Sequence, residues 1–142
     1  MAIYPVTQNN FSKALELLKK NGLPTEDIRD TTKLFVLYDE HELKGVAGLE
    51  LMNRHGLVRS LCVPEEQRAE GAGTELVNFL EEYARNAGVQ TLYLLTTTAA
   101  EFFSKRAYQA ISREEVPASI QQTSEFSALC PSSATVMKKV IG

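Results

Sequence analysis

Cysteine, histidine and surplus positive charge are all scarce in this sequence, and each scarcity closes a route. Cys62 and Cys130 are two thiols without metal-type spacing, so a reduced, cytoplasmic protein without a resident metal is expected. The two histidines, His41 and His55, fall in polar segments between extended ones, where solvated surface residues are expected rather than catalytic ones. No apolar run approaches the roughly 20 residues of a membrane span, and no signal peptide is recognisable, so no membrane contact is expected. The formal net charge of −3 argues against a general nucleic-acid binder, while leaving room for a local basic pocket. Repeats, low-complexity tracts and linker-like stretches are absent as well. What remains is 142 residues, 44% hydrophobic and 23% charged, which suits one domain over residues 1–142 with a real core.

Ala2 to Val6 reads as a short strand. Asn9 or Asn10 is placed to cap a helix whose apolar face is Phe11, Ala14, Leu15, Leu17 and Leu18, and Asn21-Gly22 stops it. Leu23 to Asp30 suggests a short second helix or a connector. Three extended segments follow, Lys33 to Tyr38, Leu43 to Met52 and Leu57 to Val63. Asp39-Glu40-His41-Glu42 and Asn53-Arg54-His55-Gly56 join them into an antiparallel meander. If the second turn is symmetric about Arg54-His55, Glu50 lies opposite Arg59 as a cross-strand ion pair. Such a pair is either a surface contact worth under ~1 kcal/mol or a carboxylate and guanidinium facing a substrate.

Beyond Pro64 comes Arg68-Ala69-Glu70-Gly71-Ala72-Gly73-Thr74, which leads into a helix carrying Leu76, Val77, Leu80, Tyr83 and Ala84 on one face. Two glycines two apart allow a tight turn and close approach of a ligand. The helix start offers unpaired N–H groups and a positive dipole end, and Arg68 adds a charge, so the stretch reads as an anion cradle or as a plain glycine turn before a helix. No Gly-Lys-Ser/Thr follows and the third dinucleotide glycine is missing, so it is neither a nucleotide P-loop nor a dinucleotide fingerprint. Asn86-Ala87-Gly88 ends the helix. Val89 to Leu95 is a buried strand, and one of Thr96-Thr97-Thr98 caps a helix from Ala99 to Lys105. Tyr108 to Arg113 is another strand, Val116 to Cys130 is irregular, and Ala134 to Val140 is a last strand beside the one before it. This order implies a mixed α/β (α+β) fold, a mostly antiparallel mixed sheet flanked by helices.

The glycine turn resembles the Arg/Gln-x-x-Gly-x-Gly/Ala segment of the GCN5-related N-acetyltransferase (GNAT) superfamily, and the element order is similar to that family's along nearly the whole chain. Within it, the chain resembles the N-acetyltransferases encoded in bacterial arsenic-resistance operons. The residues carrying that likeness are Gly48-Leu49-Glu50, Arg59-Ser60-Leu61, Leu92 to Thr98 and Phe102-Phe103, with Pro117, Ile120, Thr123, Glu125-Phe126 and Leu129-Cys130-Pro131. The resemblance implies transfer of an acetyl group from acetyl-coenzyme A to the amine of a small acceptor, one similar to a phosphinic or arsonous amino acid. It also implies a homodimer through the last strands, as is common in this fold.

On that resemblance the coenzyme is held by Leu61, Cys62 and Val63, by Arg68, Ala69, Glu70, Gly71, Ala72, Gly73 and Thr74, and by Phe102 and Phe103. Glu50, Arg59 and Thr97 are expected to bind the acceptor. Glu50 is the candidate base or ammonium anchor, and Tyr93 and Tyr108 are candidate proton donors to the departing thiolate. Two departures stand out. The family's usual thiolate-protonating tyrosine corresponds to Phe103, and the glycine preceding the next aromatic is Ala107. The first leaves a non-catalytic module that binds acetyl-coenzyme A or an arsenical as the competing reading. Cys62 and Cys130 are either soft ligands for trivalent arsenic or ordinary core cysteines.

Overall fold

The runs Leu34 to Leu37 and Val46 to Leu49 are apolar on successive residues, which suits strands covered on both faces. In the computed structural model, which describes residues 2–23, 25, 28, 32–64, 71–123 and 134–142, they lie in β2 (Thr32–Asp39) and β3 (Glu42–Met52). With β4 (His55–Cys62) these strands form the expected antiparallel meander, and β1 (Ala2–Pro5) pairs antiparallel on the outer side of β2. β5 (Thr91–Thr96) pairs parallel with β4, and β7 (Thr135–Val140) inserts between β5 and β6 (Gln109–Ile111). The result is a seven-stranded sheet in the order β1-β2-β3-β4-β5-β7-β6.

Helices cover both faces. α1 (Gln8–Lys20) buries Ala14 and Leu18 against Leu34, Val36, Val46 and Cys62. On the other face, α2 (Ala72–Asn86) packs Leu76, Val77, Leu80 and Ala84 against Phe35, Leu37, Leu49, Val58 and Leu92. Each fully buried leucine here contributes about 1.5–3 kcal/mol relative to exposure. α3 (Ala100–Ser104) adds Phe103 to that core. Its N-cap is Ala99 without a side-chain cap bond, rather than one of the three threonines, and Thr96 Oγ1 instead accepts the Ala99 N–H at 2.9 Å in the turn before it. A 3₁₀ turn (Arg113–Glu115) leads to α4 (Ala118–Gln121), whose Ile120 packs with Leu57, Tyr93 and Val136.

Several boundaries differ from expectation for local reasons. Thr7, extended at φ −119°, is the N-cap of α1 rather than Asn9 or Asn10. Asn10 sits in the first helical turn and its Oδ1 accepts the Thr7 N–H at 2.8 Å. The stop at Asn21-Gly22 is as expected, with Gly22 left-handed at φ 75°. β6 is shorter than Tyr108 to Arg113, because Tyr108 turns into the core and Arg113 begins the 3₁₀ turn. The short helix expected over Leu23 to Asp30 lies largely outside the described residues, and the irregular stretch expected from Val116 to Cys130 contains α4, with residues 124–130 outside the described residues.

The turn between β3 and β4 is the two-residue Asn53-Arg54, with Met52 facing His55 and Asn53 at φ 58°. His55 is therefore not a solvated turn residue. It opens β4 with its ring edge-on to Tyr93, centroids 5.8 Å apart, and its Nδ1 is buried.

Ala107 takes φ 72°, the left-handed region that favours glycine. A side chain there costs about 1–2 kcal/mol, part of it offset by the smaller unfolded-state entropy of alanine. Ala107→Gly is accordingly expected to raise the unfolding free energy by about 0.5–1 kcal/mol, read as a higher denaturant midpoint at unchanged slope.

Candidate active site

The β3–β4 register follows from its tight turn. Glu50 faces Leu57, and Arg59 faces Gly48, one pair further along than a turn centred on Arg54-His55 would give. The offset is two residues, so Glu50 and Arg59 still project from the same face, diagonally rather than directly opposed. Arg59 Nη1 lies 3.7 Å from Glu50 Oε2, with the arginine side chain 0% exposed and the glutamate 18%. Gly48 makes that burial feasible, since a Cβ there would come within 3.3 Å of Arg59 Cγ. This is no exposed pair: a guanidinium taken fully out of water needs its carboxylate. Glu50 is thus the member of the pair that keeps some exposed surface, while Arg59 stands behind it.

Immediately after Arg59 the strand is interrupted. Ser60 is left-handed at φ 55°, and the register shifts between the Gly48–Arg59 and Val46–Cys62 pairs, which marks a β-bulge. The parallel ladder to β5 has already ended, at Leu57 opposite Tyr93. From Val58 onward β4 and β5 run apart, so the middle of the sheet opens as a V.

A cavity of about 620 Å³ occupies the opening. Leu61, Cys62 and Val63 form one wall, Gly71, Gly73 and Thr74 at the start of α2 form another, and Thr98, Ala99, Phe102 and Arg106 close the third. Asn21 and Leu23, just past α1, line its remaining side. Gly71 is the N-cap of α2 at φ 81°, and a Cβ built on it would stand in open space. Gly73 is required differently: a Cβ there would lie 3.1 Å from the Phe102 ring. The two glycines thus give a bare helix N-terminus facing the cavity and an aromatic packed tightly behind it.

A model of the acetyltransferase (GNAT) family matches residues 5–111. The chain belongs to that family. Among relatives, an amino-acid acetyltransferase of Pseudomonas paraeruginosa is 43% identical over 63 residues, covering 44% of this chain and 15% of that protein. Among solved structures, N-acetylglutamate synthase from Neisseria gonorrhoeae, complexed with coenzyme A and N-acetyl-glutamate, matches with a TM-score of 0.83 at 19% identity. That match covers 99% of this chain and 35% of the synthase. Rv2747 from Mycobacterium tuberculosis, solved in complex with CoA, matches with a TM-score of 0.83 at 16% identity, across 100% of both chains. The chain therefore spans only a small part of the amino-acid acetyltransferase's length.

Other residues of this GNAT chain fall differently around the cavity. Leu61, Cys62, Val63, Gly71, Gly73, Thr74 and Phe102 line it. Ala72 is fully buried in the first turn of α2, and Arg68, Ala69 and Glu70 lie outside the described residues. Phe103 does not line the cavity; it points into the core, its ring 5.3 Å from Tyr108, so its expected coenzyme contact is corrected. Thr97 is exposed and does not line the cavity either, whereas its neighbour Thr98 does.

The expectation for Tyr108 also needs correction. Its hydroxyl donates to Glu81 Oε2 at 2.9 Å inside the core, and Lys139 Nζ meets Glu81 Oε1 at 2.9 Å. Burial, reinforced by the Glu81 charge, pushes the Tyr108 pKa far above its ordinary value. A phenol so placed and so weakly acidic is not a donor to a thiolate in the cavity. Tyr93 sits on the same sheet row as Glu50, across Leu57, and burial raises its pKa, so it stays protonated at neutral pH. Cys62 is buried against α1, its Sγ 4.0 Å from the Leu17 carbonyl oxygen, while Cys130 lies outside the described residues.

Sequence reasoning missed Arg106. The available signal was a cation four residues after Phe102, the spacing at which helical side chains meet. Its guanidinium lies 3.7 Å from the Phe102 ring centroid, and Nη1 donates to the Phe102 carbonyl at 2.9 Å.

Proposed function

We propose that this chain, acting as one domain, moves the acetyl group of acetyl-coenzyme A to the amine of a small amino-acid-like acceptor by direct attack within a ternary complex. The observation carrying this reading is the cavity between the diverging end of β4 and the bare N-terminus of α2. Its features fit the donor: an opened strand end for an extended pantetheine arm, and glycine N–H groups at a positive dipole end for phosphate. When bound, acetyl-coenzyme A supplies an acyl group activated as a thioester. The main chain at Leu61 to Val63 would hold the pantetheine arm. The main chain from Ala69 to Thr74, with Arg68, would hold the pyrophosphate.

The acceptor side rests on Glu50. Fixed by a buried arginine, it presents a carboxylate for a substrate ammonium, and the names of the amino-acid acetyltransferase and N-acetylglutamate synthase relatives favour a zwitterion of that kind. The sequence likeness to arsenic-resistance acetyltransferases points to a phosphinic or arsonous amino acid as the finer choice. Tyr93, protonated and on the Glu50 row, is the remaining side-chain candidate for returning a proton to the thiolate. A homodimer would form through β6, the outer strand of the β7 side.

A second reading, a module that binds the donor without turnover, draws on Phe103 at the usual tyrosine position and on the occupied Tyr108 hydroxyl. Steady-state release of coenzyme thiol separates the two. A panel of acidic, phosphinic and arsonous amino acids is expected to yield at least one acceptor with release well above the acceptor-free rate. Donor binding with no release for any acceptor would favour the second reading.

A further inference from the structure

The geometry points to Arg106 as a phosphate ligand for the acyl donor, a role resting on the donor reading above. The argument begins with charge. Arg106 is the only charged side chain among the described residues lining the cavity. It is half-buried, yet its partners among the described residues are neutral: the Phe102 carbonyl, the Phe102 ring and the Thr74 hydroxyl, which accepts from Nη2. Its Nε is buried without an acceptor among the described residues. Half-buried guanidinium groups ordinarily meet a carboxylate or another anion, and here none of the described carboxylates forms that pair.

The neutral partners hold the cation at one place. The Phe102 ring supports its flat face, the carbonyl takes one nitrogen, and Thr74 takes another at the first turn of α2. Because the Thr74 oxygen accepts from Arg106, its O–H is directed away and polarised, ready to donate to an anion in the cavity. Gly71 leaves the adjoining space bare. Arg106, the Thr74 hydroxyl and the α2 amides therefore meet where two walls of the cavity join, a donor set suited to a phosphate ester. A plain staple between α3 and α2 would not need a charge that no described carboxylate neutralises.

The test compares wild type, Arg106→Gln and Arg106→Lys by calorimetric titration with coenzyme A, 3′-dephospho-coenzyme A and pantetheine. Arg106→Gln is expected to weaken coenzyme A by about tenfold or more and pantetheine by less than about twofold, with Arg106→Lys between. The coenzyme A affinity should also fall less steeply with salt in Arg106→Gln than in wild type. Loss confined to coenzyme A assigns the 3′-phosphate, and equal loss for its dephospho form assigns the pyrophosphate; either supports the inference. Parallel losses for pantetheine and coenzyme A, or no loss for either, would overturn it and leave Arg106 a structural staple. Failure of the wild type to bind coenzyme A would instead overturn the donor reading itself, and this inference with it. Arg106→Lys keeps the charge, so it remains informative if the glutamine variant folds poorly.

Discussion

Gly71→Val is expected to lower affinity for acetyl-coenzyme A by about tenfold or more, the loss of one charge-assisted hydrogen bond being enough for that. Two effects act together. The backbone at Gly71 is left-handed at φ 81°, where a β-branched residue is a strong outlier costing about 1–2 kcal/mol or more. The valine side chain would also stand in the space the phosphate is proposed to fill, since nothing else lies within 4 Å of a Cβ there. Gly71→Asn separates the effects, because asparagine tolerates the left-handed region while still filling the space. It should keep the wild-type melting temperature and still bind the donor weakly. Calorimetric titration of folded variants is the check, and undiminished affinity in Gly71→Val would remove the donor site from this wall of the cavity.

Glu50→Gln is expected to raise the Michaelis constant for the amine by about tenfold or more, with a smaller effect on turnover at saturation. This is the signature of an anchor. It follows from the 3.7 Å contact that ties the carboxylate to a guanidinium whose side chain is wholly buried. Were Glu50 instead the base that takes the amine proton, turnover would fall by roughly 10²-fold and the acidic limb of the pH–rate profile would shift or vanish. Steady-state kinetics across pH, run beside a thermal melt, distinguish the two. Wild-type kinetics at every pH would reduce the pair to a structural contact.

How much of this was legible in the sequence depended on whether a feature is periodic or directional. The face of α2 and the meander β2–β3–β4 are written in apolar spacing, and both were readable. The register of the β3–β4 hairpin was misread because Asn53-Arg54-His55-Gly56 contains several acceptable turn pairs, and only the left-handed Asn53 selects one. The shared face of Glu50 and Arg59 survived, because an even offset preserves strand parity. The cavity residues Leu61 to Val63, Gly71, Gly73 and Thr74 were readable as a strand end followed by a helix start. Tyr108 and Phe103 were not, since which side of a short helix or strand an aromatic faces is settled by neighbours such as Glu81 that lie far away in the chain. Arg106 escaped notice because its significance lies in having no carboxylate partner among the described residues, and sequence shows no such absence.

The short β4–β5 ladder has a mechanical meaning. Three residues of β4 pair with three of β5, so the sheet amounts to two plates, β1–β4 and β5–β7, joined by a narrow weld. The left plate is fastened by long antiparallel pairings and the right by the β5–β7 ladder. Opening fluctuations should therefore concentrate at the weld, and the plates should behave as separate cooperative units in hydrogen exchange. A ligand wedged in the V would brace both plates at once, making the compliance of the whole sheet depend on how full its cavity is.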